Sequence, residues 1–267
     1  MTTKSVDALP SYDRILFPAP HLELALVQVK FPPLPRFEEQ NYLTDIREAL
    51  SVDYPLPAVE RAVNVMVSPQ GVSQIPGSQV FRFSSLDYAW SVVLTADAVL
   101  LESRVYPEIN EFAARFCAIL EKVRNTLKPR HQLRFGLRYV NEFRHTKAVA
   151  YERWAELGLN RELLGIGARN VFGGNVKQTV NEFRTNRSDG SLVIRHGYLN
   201  GTTVAPAAGR TPKSGPFYLL DLDYFDESAR DFDARPIDRM ILFNDFLYRV
   251  FRWCVGDGEL YQYLRAD

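Results

Sequence analysis

Cysteine is scarce in this chain, and neither sign of charge is in excess. The 267 residues include only 2 cysteines, Cys117 and Cys254, both in stretches predicted to be helical. Disulfide-stapled domains need more cysteines than this, so both are expected to be reduced thiols. The 32 lysines and arginines are balanced by 32 aspartates and glutamates. Because phosphate contacts supply much of the affinity for nucleic acids, this balance disfavours a protein built mainly to bind them.

Long apolar runs and known catalytic signatures are missing as well. No run approaches the length that spans a bilayer, and the opening MTTKSVDALP lacks the apolar core of a signal peptide. A cytoplasmic protein without a membrane partner is therefore expected. The sequence contains no G-x-S-x-G, Walker or dinucleotide-binding fingerprint. None of the histidines has the spacing to a cysteine that metal ligands show; they are His21, His131, His145 and His196.

What remains is ordinary globular composition, with 46% hydrophobic and 24% charged residues. Residues 1–20 are predicted to be a polar arm. Apolar periodicity then predicts a strand, a helix, four strands and a helix, at Leu22–Phe31, Phe37–Leu50, Val59–Val67, Val80–Phe83, Ala89–Thr95, Val99–Val105 and 107–127. Pro107 suits the start of the last helix, because its fixed φ is helical and its missing N–H is not needed there.

The second half begins in the same way. A strand, a helix, three strands and a helix are predicted at Leu133–Phe143, Tyr151–Leu164, Val176–Arg184, Leu192–Leu199, Phe217–Phe225 and Pro236–Cys254. We therefore predict two α+β pseudo-repeats, 21–130 and 131–267, integrated in one long twisted antiparallel sheet with helices on one face. This order of elements is similar to that of the TATA-binding-protein fold, an analogy of architecture that carries no function.

Several stretches resemble a sporadically distributed bacterial family of proteins of about this length. They are PHLELALVQVKFPPL (20–34), FRFSSLDYAWSVVLTADAVLLESRVYPEINEF (81–112) and LRFGLRYVNEF (133–143), followed by YLLDLDYFD (218–226) and IDRMILFNDFLYRVF (237–251). The most specific piece is GLRYVN. The resemblance implies one integrated architecture over most of the chain. It implies no catalytic residues, since the family has no established activity.

A row of charged side chains marks the polar face of the strand Leu133–Phe143. Arg134, Arg138, Glu142 and Arg144 project the same way by two-residue alternation, and Gly136 leaves a gap between the first two arginines. Arginine forks bind phosphate or carboxylate in a bidentate manner, so the row is a candidate binding site for an anionic ligand or an acidic partner. The alternative is a cross-strand ion-pair ladder with Glu182 or another acid.

A pair of acids in YLLDLDYFDE is a second candidate site. Asp221 and Asp223 share one face of a predicted strand, and Asp226 and Glu227 follow just beyond its end. Two carboxylates spaced in this way can grip Mg²⁺, as phosphoryl-transfer and nuclease sites require. The alternative is the solvated face of a strand whose other side carries Leu220, Leu222 and Tyr224.

Two further features bear on ligands and partners. The strand Leu22–Phe31 is apolar on both faces at its start, so its second face should be covered by the arm 1–20, by a second copy of the chain or by another partner. The loop 200–216 carries Arg210 and Lys213, which could close over a ligand. A mobile hairpin connection is the alternative for this loop.

These patterns favour a non-enzymatic binding or adaptor protein. It would act through the sheet face that the helices leave uncovered, with a protein partner or a homodimer expected. One alternative is a nucleic-acid or nucleotide-binding module. The other is a metal-dependent phosphoryl-transfer or nuclease-type enzyme that uses Mg²⁺ held by Asp221 and Asp223.

Overall fold

The computed structural model describes residues 9–15, 17, 21–37, 39, 41–68, 71–148, 150–169, 171–203, 211–232 and 235–265, and of 61–78 the backbone. Parts of the predicted arm 1–20 therefore lie outside the described residues. So does Arg210 of the loop 200–216, whereas Lys213 lies within them.

Within the described residues, nine strands form one antiparallel sheet. They are β1 Leu22–Lys30, β2 Leu56–Ser68, β3 Gly71–Ser84, β4 Trp90–Thr95, β5 Ala98–Ser103, β7 Arg134–Phe143, β8 Asn181–Arg187, β9 Gly190–Thr202 and β10 Ser214–Asp226. A separate two-stranded ribbon pairs β6 His131–Gln132 with β11 Arg230–Asp231. The predicted α+β class with a large antiparallel sheet is confirmed.

Two long helices and several short ones complete the described fold. They are α1 Thr44–Ser51, α2 Ile109–Thr126, α3 Arg153–Leu157, α4 Arg161–Leu164, α5 Pro236–Val255 and α6 Glu259–Arg265, with a 3-10 turn at Gly165–Arg169. The helix α2 follows its predicted apolar stripe, but it begins at Ile109 and not at Pro107. The helix α5 begins at Pro236 as expected. The prediction that α5 buries Ile237 and Ile241 is wrong, because both are exposed. None of the helices in this part of the chain is both long and apolar enough to cross a bilayer.

The strand order is β2-β3-β4-β5-β1-β7-β10-β9-β8. Each half of the chain thus places its first strand at the centre, where β1 and β7 pair with Val27 opposite Leu137. In each half the next strand along the chain, β2 or β8, lies at an edge of the sheet, and the strands after it run inward as a meander until the last one pairs with the first. This order fits the two predicted pseudo-repeats, although a duplication itself stays a prediction.

The long helices α2 and α5 pack on the same face of the sheet. Phe243 of α5 contacts Phe135 of β7 and Tyr224 of β10, with ring centroids 5.7 Å and 4.8 Å apart. Phe112 of α2 packs on Trp90 of β4 at 5.9 Å. Side chains alternate along each strand, so the residues between these contacts point to the other face. That opposite face, which carries Arg138 and Asp221, is called the open face below.

A bulge in β1 accounts for part of its apolar character. Leu22 lies opposite Asn141, and Leu24 lies opposite Val140, so the register shifts between them. The extra residue turns Leu22 toward the helix side, whereas Leu24 stays on the open face. The two-residue alternation expected of a strand therefore breaks between Leu22 and Leu24.

Several predicted boundaries are also wrong. The strands predicted at Val59–Val67 and Val80–Phe83 are longer in the structure, Leu56–Ser68 and Gly71–Ser84. Phe37 and residues 41–43 lie in turns instead of the first half of a helix, with Tyr42 N donating to Glu39 O at 3.1 Å, so α1 begins only at Thr44. The helix predicted over 151–164 is two short helices, because Gly158 adopts a left-handed φ of 109° where its backbone closely approaches Gly258. The strand predicted from Val176 begins only at Asn181.

Candidate functional site

The predicted arginine row and the predicted acid pair meet on the open face. Arg138 donates from Nε to Oδ1 of Asp221 and from Nη2 to Oδ2, both at 2.7 Å. Arg134 donates from Nη2 to the two carboxylate oxygens of Asp223, at 3.3 Å and 3.2 Å. Arg138 lies directly opposite Asp223 in the register of β7 and β10, so its bond to Asp221 runs diagonally. The two predicted sites are one ion-pair network.

The network continues across β9 to the edge strand β8. Arg195 lies 3.5 Å from Asp221 through Nη1 and donates from Nε to Glu182 at 2.7 Å. Arg184 donates to the other oxygen of Glu182, also at 2.7 Å. This is the ladder that the sequence offered as an alternative, with Asp221 as its central acid and Glu182 as its outer acid.

Burial differs strongly along this ladder. The Asp221 side chain is 4% exposed and that of Glu182 is 39% exposed. The hydrogen bonds that Arg138 donates to Asp221 raise the pKa of Arg138. Burial raises the pKa of Asp223, although the nearby arginines act in the opposite direction. At the exposed end, the hydrogen bond from Arg184 lowers the pKa of Glu182. The inner carboxylates, Asp221 and Asp223, therefore need their arginine partners to stabilise the negative charge. The outer carboxylate, Glu182, is also solvated by water.

The other two predicted binding residues are held by their neighbours. Glu142 is buried and accepts from Arg144 Nη2 at 3.2 Å. Arg144 also donates to the carbonyl of Gly215 at 3.1 Å and stacks over the Phe217 ring. Lys213, just before β10, contacts Glu23 of β1. These charges attach the start of β10 to the sheet.

Gly136 has a steric role in the same row. A Cβ added there would lie 2.8 Å from Arg134 Nη1 and 3.1 Å from Phe225 Cβ. The gap lets the Arg134 guanidinium lie over the Phe225 ring, 4.2 Å from its centroid. The gap in the arginine row is thus filled by Arg134 itself.

The acid pair shows no arrangement of metal ligands. In the described part of the chain, no three side chains among histidine, cysteine, aspartate and glutamate are grouped so that they could hold a metal. The carboxylate oxygens of Asp221 and Asp223 accept hydrogen bonds from arginines, which occupy the lone pairs that Mg²⁺ would need.

The sequence did not predict a second site on the helix side of the sheet. A cleft of about 820 Å³ lies between the first turn of α2, the middle of α5 and the centre of the sheet. Much of its wall is apolar, with Phe17, Leu22, Trp90 and Leu247 among the lining residues. This cleft has the size and the largely apolar lining of a small-molecule site.

The described part of the arm forms one wall of the cleft. Ile15 N donates to Tyr248 Oη at 3.1 Å, and Tyr248 Oη donates to the carbonyl of Asp13 at 2.8 Å. Phe17 packs on Phe251 of α5 with ring centroids 5.5 Å apart. The arm therefore lies along α5, on the helix side. Its described residues therefore do not cover the open face, where Leu26 is partly exposed and Leu24 is buried without help from the arm.

Four polar groups converge at the base of the cleft. Tyr106 Oη and Tyr139 Oη lie 3.0 Å apart, and Tyr139 Oη lies 2.9 Å from the side-chain amide of Asn244. The Arg14 guanidinium approaches the other atom of that amide, with Nη1 at 2.6 Å. These side chains come from the arm, the segment before α2, β7 and α5. Only the folded chain brings them together.

Burial keeps both phenols protonated. It raises the pKa of Tyr106 to about 12 and that of Tyr139 well above its usual value. At neutral pH both are therefore neutral hydroxyls that donate one hydrogen bond each. The chemistry of this cluster is hydrogen bonding, with neither phenol available as a base.

The two cysteines and two of the histidines have structural surroundings. Cys117 and Cys254 are free thiols, as expected, and burial raises the pKa of each. His196 Nδ1 lies 2.9 Å from Tyr218 Oη, and burial lowers its pKa. His21 lines the cleft, where its ring stacks between Phe143 and Phe251.

One sequence signal could have pointed to the cleft. Asn244 lies on the apolar stripe of α5 between Met240 and Leu247, where an amide needs a partner. Tyr139 is likewise a hydroxyl-bearing residue on the apolar side of its strand. Neither residue indicates which distant group satisfies it.

Comparison with known proteins adds no identity. No protein-family model and no curated protein matches the chain. The resemblance to a bacterial family therefore stays a prediction.

Proposed function

We propose that this protein is a non-catalytic binding protein that takes a small, largely apolar organic molecule into the cleft beneath the arm. The observation that carries the proposal is the cleft itself, about 820 Å³ with an apolar wall and convergent hydrogen-bonding groups at its base. Clefts of this size and composition bind small molecules in many folds.

Binding is favoured over catalysis by the state of the polar groups. Catalysis needs groups whose protonation is tuned to the reaction. The phenols Tyr106 and Tyr139 are held neutral by burial, and neither cysteine lines the cleft. The chemistry at the base of the cleft thus suits recognition of a ligand.

Fluorene, a flat hydrocarbon without hydrogen-bonding groups, is a suitable probe of the cleft. We expect purified protein to bind fluorene saturably, with one molecule per chain, in a fluorescence titration. The variant Val105→Trp should abolish binding, because Val105 lines the cleft and is 44% exposed, so a larger ring can fill the opening without entering the core.

Val52→Trp is the matched control. Val52 is 84% exposed at the end of α1 and does not line the cleft, so this variant should bind fluorene like the original protein. Fluorene binding that is absent, or that survives unchanged in Val105→Trp, would refute the proposed function.

A second candidate function is binding of a protein partner through the open face, with a second copy of the chain as the case testable in purified protein. It is favoured by a shallow depression of about 490 Å³, where part-exposed Leu26 and Leu100 lie beside Arg134, Arg138 and Asp223. The apolar base would supply affinity and the charged rim would supply orientation.

The test of this second function must leave the ion pairs intact. Arg138→Glu would place a third carboxylate beside Asp221 and Asp223, so it would damage the fold as well as the surface. Leu100→Glu adds a charge at the depression without removing an ion-pair member. We expect sedimentation to show a dimer that this variant dissociates. A monomer at every concentration tested would exclude self-association.

The two remaining alternatives are distinguished by simple titrations. Nucleic-acid binding would weaken steeply as salt rises, because counterions are released from phosphates. On the open face the arginines are already paired with carboxylates, which argues against binding of nucleic acid there. Saturable Mg²⁺ binding that Asp223→Asn abolishes would support the metal-dependent enzyme instead.

A further inference from the structure

The cleft holds a hydrogen-bond chain with a direction, and the direction specifies what a ligand must carry. We propose that the Arg14–Asn244–Tyr139–Tyr106 chain ends in a hydroxyl donor that selects flat aromatic ligands bearing a carbonyl oxygen. The inference rests on the proposed function and adds the ligand class to it.

The direction is fixed at Asn244. In one orientation of its amide, Tyr139 Oη donates to Oδ1 at 2.9 Å, but the amide nitrogen then faces the Arg14 guanidinium, donor against donor. In the other orientation, Oδ1 accepts from Arg14 Nη1 at 2.6 Å and from Nη2 at 3.2 Å, and Nδ2 donates to Tyr139 at 2.9 Å. Only the second orientation satisfies both ends of the amide.

The direction of the remaining hydrogen bonds follows from the orientation of the Asn244 amide. Because Tyr139 Oη accepts from the amide, its own proton is free to be donated to Tyr106 Oη, 3.0 Å away. Tyr106 then accepts from Tyr139 and keeps its proton for another acceptor. A positive charge at the start polarises the later donors in the same direction, which strengthens the terminal one.

The terminal donor is placed to meet a ligand. Both tyrosines line the cleft, but Tyr106 is partly exposed whereas Tyr139 is buried. Trp90, Phe17 and Phe251 supply aromatic surface in the same cleft. A flat ring carrying a carbonyl fits this combination, because the rings pack and the carbonyl accepts from Tyr106.

Charge in the cleft favours a neutral carbonyl. Arg14 and Arg104 line the cleft together with Glu108 and Glu111, so the positive side chains are matched by negative ones. Arg14 is also paired with Asp245 at 3.3 Å. A phosphate or another multiply charged group would meet no net positive field here.

Three tricyclic probes of nearly the same shape test the inference. Fluorene has no polar group, fluorenone adds a carbonyl acceptor, and carbazole adds an N–H donor. We expect the wild-type protein to bind fluorenone about five-fold more tightly than fluorene, the gain typical of one hydrogen bond, and to bind carbazole no better than fluorene. Fluorene carboxylate, as a fourth probe, distinguishes a charged acceptor from a neutral one. Preference for the carboxylate over fluorenone would overturn the neutral class.

Two variants separate a directed chain from a merely apolar cleft. Tyr106→Phe should remove the preference for fluorenone over fluorene. Asn244→Asp should reverse the preference, so that carbazole binds more tightly than fluorenone. The reason is that a carboxylate accepts from both Arg14 and Tyr139. Tyr139 then accepts from Tyr106, whose oxygen is left as an acceptor for carbazole.

Asn110→Asp is the matched control for the added charge. Asn110 is exposed at the rim of the cleft and lies outside the chain, so this variant should keep the order seen in the wild type. Circular dichroism verifies the fold of each variant. If Asn244→Asp does not fold, Tyr106→Phe decides.

The outcomes distinguish this inference from the function on which it rests. Fluorene binding without any preference for fluorenone, or a preference that survives in Tyr106→Phe, overturns the directed chain but leaves the cleft as a binding site. A preference that Asn244→Asp leaves unreversed in a folded protein also overturns it. Absence of fluorene binding, or fluorene binding that survives unchanged in Val105→Trp, overturns the proposed function itself.

Discussion

The two faces of the sheet use their polar groups in opposite ways. On the open face, Arg138 and Asp221 satisfy each other through two bonds of 2.7 Å. On the helix side, the chain that starts at Arg14 passes through neutral groups and ends on Tyr106 in the cleft. A closed network stabilises the fold, whereas an open chain has a hydrogen bond to offer. A row of charges on a strand therefore supports a binding site less than one neutral hydroxyl whose proton is still available for donation.

The largest loss of stability is expected from a substitution on the open face. Asp221→Ala leaves Arg138 and Arg195 without their inner partner, and the Asp221 side chain is only 4% exposed. We expect a loss of about 2–4 kcal/mol in the free energy of unfolding, because a buried ion pair that loses one member leaves the other charge uncompensated. Urea unfolding measures it. A loss within experimental error would show that the ladder is as inert as an exposed salt bridge.

On the helix side, Tyr139→Phe should cost less. The hydroxyl is buried, and its removal leaves Asn244 Nδ2 without an acceptor and Tyr106 Oη without a donor. The expected loss is about 1–3 kcal/mol in the free energy of unfolding, measured in the same way. Tyr88→Phe is the control, because Tyr88 lies part-exposed in a turn and should change little. Equal effects of the two variants would contradict the hydrogen-bond chain.

Alkaline pH probes the same chain without a change of its geometry. Burial raises the pKa of Tyr106 from 10.0 to about 12, so the folded state keeps a proton that the unfolded state has lost. The stability is fully present below pH 10 and is lost as pH rises toward 12. Other buried tyrosines such as Tyr218 act in the same direction. The free energy of unfolding should therefore fall less steeply with pH in Tyr106→Phe than in the wild-type protein. The difference should be at most about 1.4 kcal/mol per pH unit in this window. Identical slopes would contradict the burial of Tyr106.

The smallest effect should come from the exposed end of the ladder. Glu182→Ala removes the partner of Arg184 and Arg195, but water reaches all three side chains. We expect a change near the limit of measurement at low salt that disappears at high salt, because exposed pairs are screened. A large, salt-independent loss would mean that the ladder acts as one buried unit.

Much of the fold could be predicted because it depends on local patterns. The apolar stripes of α2 and α5 and the alternation in β7 define those elements without knowledge of their neighbours. The predictions failed where backbone contacts decide, as at Gly158, whose close approach to Gly258 splits a helix. They failed also at the bulge beside Glu23, which no alternation pattern reveals.

The two sites differ in the same respect. Arg138 and Asp221 could each be placed on a polar face, but their pairing needs the register of β7 against β10. The cleft needs more, since Arg14, Tyr106, Tyr139 and Asn244 come from four separate segments. The position of Asn244 on the apolar stripe of α5 could have indicated a buried partner, but only the fold identifies it.

The attachment of the arm to α5 has a consequence for the order in which the molecule forms. The bond between Ile15 and Tyr248 joins residues 233 positions apart. Closing so long a loop costs more chain entropy than pairing neighbouring strands, so such contacts form late in folding. During refolding, sheet signals in circular dichroism should appear before the ability to bind fluorene. The last structure to be completed would then be the one that receives the ligand, and an incompletely folded chain could not compete for it.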